Sequence, residues 1–230
     1  MTPDGLGTVI VTGGASGLGA AVAAAVEAEG GTPVVLDRQP PPNGFAFREQ
    51  DLADARGTEA AVKEIAEEHG GLDAVVTAAG TDACGDLGDI DGADWDRVVM
   101  VNLLGTAAVV RAALPYLERS RGRIVTVAST LGIRALPAAT AYCASKFGVV
   151  GFTRSLATEL AGKVGVTLMV PAGMRTAFFD DREEHYKPGP DAQLVDPSEM
   201  AEGVIFALTR PRGVELRELV MTPSVEPSWP

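Results

Sequence analysis

Tyr142 and Lys146 stand four residues apart in Ala141-Tyr142-Cys143-Ala144-Ser145-Lys146. At the start of a helix that spacing puts both side chains on one face. A phenol ordinarily ionises near pH ~10, and an ammonium beside it favours the phenolate. The pair could therefore exchange a proton with a substrate oxygen nearer neutral pH. The same spacing also describes an ordinary surface Tyr–Lys pair. Two further residues sharpen the choice. Ser129 ends the apolar run Arg123-Ile124-Val125-Thr126-Val127-Ala128. A hydroxyl at the carboxyl end of a buried strand can hydrogen-bond a reacting oxygen, or simply cap a turn. Asn102 interrupts Val98-Val99-Met100-Val101-Asn102-Leu103, and an amide in such a run must find partners. Bracing the helix and holding a proton-relay water near Lys146 both satisfy that need.

A second constellation could bind phosphate. In Thr12-Gly13-Gly14-Ala15-Ser16-Gly17-Leu18-Gly19, the absence of Cβ atoms lets a pyrophosphate approach free backbone N–H groups at a helix N-terminus. Glycines also make ordinary strand-to-helix turns. Here they follow a strand, open a helix and precede Asp37 at the end of the next strand, which points to a dinucleotide. Asp37 would accept hydrogen bonds from ribose hydroxyls and repel a 2′-phosphate; its plainer role is that of a solvated strand-end residue. Arg38 could salvage some binding of the phosphorylated cofactor. Ser16 stands where a basic residue would favour that phosphate. NAD(H) is expected over NADP(H).

The elements that must position these groups alternate along the whole chain. Strands are expected at Thr8–Val11, Pro33–Leu36, more weakly Phe45–Phe47, Asp73–Thr77, Arg123–Ala128, Val166–Val170 and Leu219–Met221. Helices are expected up to Glu29, then at Asp54–His69, Asp94–Glu118 (one long helix), Ala141–Ala161 and Ser198–Leu208. Short strands apolar on both faces, alternating with helices, form a parallel sheet covered on both sides. Residues 1–230 therefore read as one dinucleotide-binding and catalytic α/β domain. Only the stretch from Thr176 to Pro197 lacks periodicity, and 177–197 is expected to be a substrate-binding loop or lid.

Composition narrows the function classes. The chain has 230 residues, with 46% hydrophobic and 22% charged, which fits a globular domain. Its net charge is −12, a surface that repels phosphate backbones and anionic lipid, so neither nucleic acid nor membrane is expected as a partner. Cys84 and Cys143 are too few for a disulfide framework. Met1-Thr2-Pro3-Asp4-Gly5 offers no basic leader segment. Asn102 and Arg111 interrupt the longest apolar stretch, Val98–Leu117, arguing against a membrane span. A cytoplasmic location is expected.

Taken together, the chain closely resembles the short-chain dehydrogenase/reductase family over nearly its whole length. The resemblance is carried, in order, by Thr12 to Gly19, Asp51-Leu52, Ala78-Ala79-Gly80, Asn102, Ser129, Tyr142 with Lys146, and Pro171 to Thr176. It implies a Rossmann-type doubly wound parallel sheet of about seven strands. It also implies hydride exchange between a nicotinamide cofactor and a substrate carbon. By similarity, Tyr142 is the general acid/base, Lys146 lowers its pKa and binds the nicotinamide ribose, and Ser129 polarises the substrate oxygen. Asn102 holds a water linking Lys146 to solvent. Gly13, Ser16, Gly17, Leu18, Gly19, Asp37, Arg38, Asp51, Leu52, Ala79, Gly80, Pro171, Met174 and Thr176 would border the cofactor. A homo-dimer or homo-tetramer is implied, through the helices carrying Asn102 and Tyr142. Three departures stand out. Thr77-Ala78-Ala79-Gly80 lacks the bracing amides of the family's Asn-Asn-Ala-Gly run. Pro171-Ala172 replaces Pro-Gly. The stretch from Arg38 to Gln50 is too short for the usual helix, which the Pro40-Pro41-Pro42-Asn43-Gly44 turn would replace.

The substrate pocket is expected to be walled by Leu131, Ile133 and Leu136, by Ala172 and Gly173, and by the loop from Phe178 to Tyr186, mostly apolar as ligand clefts are. Leu131 and Ile133 could equally be core packing. His185 reads as a solvated loop residue, and His69 as a helix C-terminal residue. No His/Cys clustering supports a metal. The expected activity is interconversion of a secondary alcohol and a ketone of a small molecule with NAD(H). The alternatives are an NADPH-dependent carbonyl reductase, for which Arg38 speaks, and a nucleotide-sensing protein without turnover.

Overall fold

The computed structural model describes residues 5–226; Met1 to Asp4, part of the N-terminal stretch considered above, and the last four residues lie outside it. Seven strands form one sheet: β1 (Thr8–Thr12), β2 (Thr32–Asp37), β3 (Ala46–Glu49), β4 (Ala74–Thr77), β5 (Arg123–Val127), β6 (Gly165–Pro171) and β7 (Glu218–Met221). Their order is β3-β2-β1-β4-β5-β6-β7, and every neighbouring pair is parallel. The doubly wound Rossmann-type sheet is therefore present.

Strand side chains alternate between two cores, as a period of two requires. Ile10, Leu36, Val75 and Ile124 pack on one face beneath α2 (Ala55–Glu68), α4 (Thr106–Ser120) and the end of α5 (Thr140–Glu159). Val9, Val11, Val76 and Val125 face the other way, against α1 (Gly17–Ala28) and α6 (Pro197–Leu208). Both faces of the central strands are thus dry. Continuous β-branched runs suit that environment better than alternating ones.

Two local features bear on the site. Between β2 and β3 no helix forms; residues 38–45 return the chain to the parallel neighbour as an irregular turn in which Pro41 is buried. The single helix expected over Asp94–Glu118 is interrupted: α3 (Gly92–Val99) passes into a π segment, Met100–Gly105, before α4 begins. A π segment widens the helix by one residue per turn and re-aims its side chains, and such segments recur at functional sites. This one carries Asn102. By length and composition Gly92–Ser120 is apolar enough to cross a membrane, yet 56% of its apolar window is buried inside the fold, where it covers the sheet.

Candidate active site

The strand order reverses between β1 and β4, and chains leaving that point diverge to opposite faces and open a crevice. Here the crevice is a cleft of about 1150 Å³ at the carboxyl ends of the strands. The glycine turn, Asp37, Ser129, Tyr142 and Lys146 all line it, whereas Asn102 lies buried just behind its wall.

At one end the turn after β1 wraps the start of α1. Gly13 has φ +71°, and a Cβ there would sit 2.7 Å from the Cα of Ala79. A Cβ on Gly19 would meet the carbonyl oxygen of Gly13 at 2.2 Å. The loop is therefore packed backbone on backbone, leaving the open amides of a helix N-terminus facing the cleft. Asp37 closes this end. Its carboxylate accepts from the backbone N–H of Ala15 at 3.0 Å and of Gln39 at 3.1 Å, so it is oriented by the glycine loop rather than left as a free strand-end residue. Arg38 beside it is exposed at the cleft edge. Asp51 is fixed by the N–H of Ala53 at 2.9 Å and by Arg97 at 2.8 Å. Thr176 approaches Gly17 from the opposite wall.

At the other end α5 presents Tyr142 and Lys146. The Ser129 hydroxyl accepts from the N–H of Leu131 at 3.1 Å, as a turn cap would, and is also hydrogen-bonded to the Tyr142 phenol. The hydroxyl caps the turn and is held beside the Tyr142 phenol. Lys146 donates from Nζ to the Val127 carbonyl at 2.9 Å and lies 5.6 Å from the centre of the Tyr142 ring. Its residue is only 4% exposed. Burial lowers its pKa to about 8, with Asp82 opposing. Burial likewise pushes Tyr142 up to about 12, although the Ser129 hydrogen bond pulls the other way. The sequence expectation that the ammonium depresses the phenol is thus reversed in the free chain. Taking a phenolate out of water costs more than the Ser129 hydrogen bond and the Arg182 charge return.

Asn102 explains the π segment. Its Nδ2 donates to the Thr81 carbonyl at 2.9 Å and to Ser145 Oγ at 3.0 Å, while its Oδ1 accepts from the Thr81 N–H at 2.8 Å. The amide braces its surroundings, one of the two roles left open by its type. It ties the segment after β4 to α5, where Ser145 in turn donates to the Tyr142 carbonyl at 2.8 Å. The missing amides of the Thr77-Ala78-Ala79-Gly80 run are partly replaced from β1, because Thr12 Oγ1 accepts from the Ala79 N–H at 3.1 Å.

The pocket walls agree in part. Leu131, Leu136, Ala172, Gly173 and Phe178 line the cleft. Ile133 does not; it packs against Val149, Val150 and Leu168 beneath the sheet face. His185 does not line the cleft; its ring lies tilted against that of Tyr186, which does, at 3.8 Å between centres.

Comparison with known proteins agrees with this geometry. The family described as short chain dehydrogenase matches residues 7–187. This chain belongs to the short-chain dehydrogenase/reductase family. An uncharacterized oxidoreductase of Staphylococcus aureus (strain MW2) is 32% identical over 226 residues, covering 93% of this chain and 96% of the relative. A 2-dehydro-3-deoxy-L-rhamnonate dehydrogenase (NAD(+)) of Sphingomonas sp. (strain SKA58) is 39% identical over 186 residues, 74% of this chain and 73% of the relative. Among solved structures, the ligand-free aldohexose dehydrogenase of Thermoplasma acidophilum superposes with a TM-score of 0.85 at 26% identity, over 94% of this chain and 92% of that one. An alcohol dehydrogenase of Thermococcus sibiricus, complexed with 5-hydroxy-NADP, has a TM-score of 0.82 at 24% identity, over 93% and 95% of the two chains, a likeness of fold. As a short-chain dehydrogenase the protein is an oxidoreductase.

The donor set fits a nicotinamide dinucleotide: the cradle that a Cβ on Gly13 or Gly19 would fill, together with the oriented Asp37, accommodates one at the switch point. Among the described residues no group of three or more His, Cys, Asp or Glu is arranged to hold a metal ion. Sequence reasoning passed over Asp82, Arg182 and Ser145. Ser145 sits inside the Tyr–Lys interval, and its place on the buried face of α5 was readable from helical spacing. Asp82 and Arg182 lie on loops 100 residues apart and carried no local signal.

Proposed function

We propose that this short-chain dehydrogenase interconverts a secondary alcohol and a ketone of a small molecule with NAD(H), Tyr142 acting as the general acid/base. The observation that carries the reading is the convergence of Tyr142, Ser129 and Lys146 on one wall of the cleft whose other end holds Asp37 and the glycine cradle. When bound, the nicotinamide supplies or accepts the hydride. Gly13, Ser16, Gly17, Leu18 and Gly19 would hold its pyrophosphate side, Asp37 the adenosine ribose, and Lys146 the second ribose. Asp51, Leu52, Ala79 and Gly80 would flank the adenosine half, while Pro171, Met174 and Thr176 would face the nicotinamide half.

Ser129 orients the substrate oxygen by hydrogen bonding, and Tyr142 gives that oxygen a proton in reduction or removes one in oxidation. Lys146, still protonated at neutral pH with its pKa brought down to about 8 by burial, supplies the positive charge that lowers the cost of the transient phenolate. Asn102 keeps the segment after β4 in place. The loop 177–197 closes the substrate side, with Phe178 opposite Tyr142 at 5.7 Å between ring centres. Sugars and sugar acids belong first in a substrate panel, given the names of the two characterised relatives.

Asp37 supports NAD(H), and Arg38 supports the NADPH-dependent reductase alternative. Separate calorimetric titrations with NADH and NADPH decide between them. Binding of NADH at least tenfold tighter, about 1.4 kcal/mol, is expected. Equal or tighter binding of NADPH would move the biosynthetic reductase to first place. Tight binding without hydride transfer to any ketone would favour a sensor. The protein is taken to act as one domain in the cytoplasm, as a homo-dimer or homo-tetramer. Exposed Met100 and Leu104 in the π segment and Phe147 on α5 support an association through these helices.

A further inference from the structure

The loop between β6 and α6 is fastened at its ends. Arg175 N–H donates to the Val195 carbonyl at 2.9 Å, and Val195 N–H to the Gly173 carbonyl at 3.1 Å, so residues 177–194 form a flap whose two roots are clipped together. What holds its middle is Arg182. The guanidinium carbon lies 5.1 Å from the Phe178 ring centre and 4.6 Å from that of Phe179, and the two rings meet edge to face. One Arg182 Nη donates to the Tyr186 carbonyl at 3.3 Å within the flap; the other reaches out of it to Asp82 at 2.7 Å. The two side chains are 18% and 7% exposed, in contrast to the solvated pairs elsewhere, such as Arg48 with Glu64. Asp82 is a firm anchor, because its neighbour Thr81 is the residue whose backbone Asn102 grips from both sides. On the flap side, Phe178 is the ring that faces Tyr142.

We infer that Asp82 and Arg182 form a latch that seats the 177–194 flap over the catalytic end of the cleft and fixes Phe178 opposite Tyr142, making both residues determinants of substrate access. Parting a pair this buried would leave an uncompensated charge out of water, so the pair holds the flap firmly. The planar guanidinium is what allows one residue to lie against two rings and still donate to a carboxylate; a lysine would keep the ion pair but lose the planar contact and the second donor to Tyr186. Seating of the flap is independent of the reaction. Its effect on turnover rests on the function proposed above.

Hydrogen–deuterium exchange of the full chain tests the latch without a substrate. In Arg182→Met and in Asp82→Asn, amides of 177–187 should exchange about tenfold faster, with β1 to β5 unchanged and NADH affinity within about twofold of wild type. Wild-type exchange in both variants overturns the latch. Exchange that rises across the whole sheet marks a folding defect. Arg182→Lys then decides: intermediate acceleration confined to the flap supports the latch, and a wild-type rate overturns it. Failure of wild-type protein to bind NADH would instead strike the proposed function and leave the latch standing. With an active alcohol in hand, KM should rise more than kcat falls. The pH of half-maximal oxidation should move up in Arg182→Met and down in Asp82→Asn. Tyr142 is faced by Lys146 and Cys143 from its own helix, by Ser129 from the end of β5, and by Asp82 and Arg182 from the two loops. Removing one of the last two leaves the other's charge uncompensated, whereas mere loosening of the flap would move both profiles the same way.

Discussion

Replacing Lys146 by methionine should make the fold more stable at neutral pH. The ammonium is buried, and its pKa falls from 10.5 to about 8. That difference of roughly 2.5 units, at ~1.36 kcal/mol each, puts the cost of the charge at about 3 kcal/mol. The sign follows from proton counting. Between about pH 8 and 10.5 the unfolded chain holds a proton that the folded chain has released, so wild-type stability climbs across that window. Below pH 8 the whole cost is present. Methionine keeps most of the volume and removes the charge, but it gives up the 2.9 Å hydrogen bond to the Val127 carbonyl, worth ~1.5–3 kcal/mol because the donor is charged. The variant should therefore gain up to about 1.5 kcal/mol at pH 7, a rise in Tm of up to about 6 °C for a chain of this size. The gain should shrink as pH rises towards 10. Thermal unfolding of both proteins at pH 7, 8, 9 and 10 measures it, and titration of the other groups cancels in the difference. A variant less stable at pH 7, or a difference flat across the window, would refute the argument. Activity should be lost in either case.

Ser129→Ala should lower kcat by about 10²-fold with NADH affinity unchanged, measured by steady-state absorbance at 340 nm, because it removes one donor to the reacting oxygen. Asp37→Ala should improve NADPH binding relative to NADH by at least about tenfold in calorimetry, since it removes the charge that repels a 2′-phosphate. Asn102→Leu strands the N–H and carbonyl of Thr81 together with Ser145. It should cost about 2–4 kcal/mol in urea denaturation, and a midpoint like that of wild type would contradict the bracing role.

The sheet was legible because its strands are short apolar runs that only a doubly covered parallel sheet can hide. The glycine turn, Asp37 and the Tyr142–Lys146 interval were legible because each depends on neighbours within a few residues. The break in the long helix was not. Asn102 interrupts its apolar run but carries no local helix-breaking signal, and the π segment answers to the distant Thr81 and Ser145 that Asn102 must reach. The direction of the Tyr142 shift was also hidden, since residue spacing reveals the neighbouring ammonium but not the loss of water around the phenol. Leu131 and Ile133 differ by two positions, yet one lines the cleft and the other the core, a choice made by the short 3₁₀ turn Thr130–Gly132 that follows Ser129.

The central claim is that Tyr142 carries the proton in hydride transfer. It is tested most directly by incubating wild type and Tyr142→Phe with NADH and a panel of keto sugars, keto sugar acids and simple ketones, following 340 nm absorbance, with calorimetry in parallel. The account predicts turnover by wild type and a loss of at least about 10³-fold in the variant, with NADH bound equally well by both. Undiminished turnover by Tyr142→Phe would contradict it.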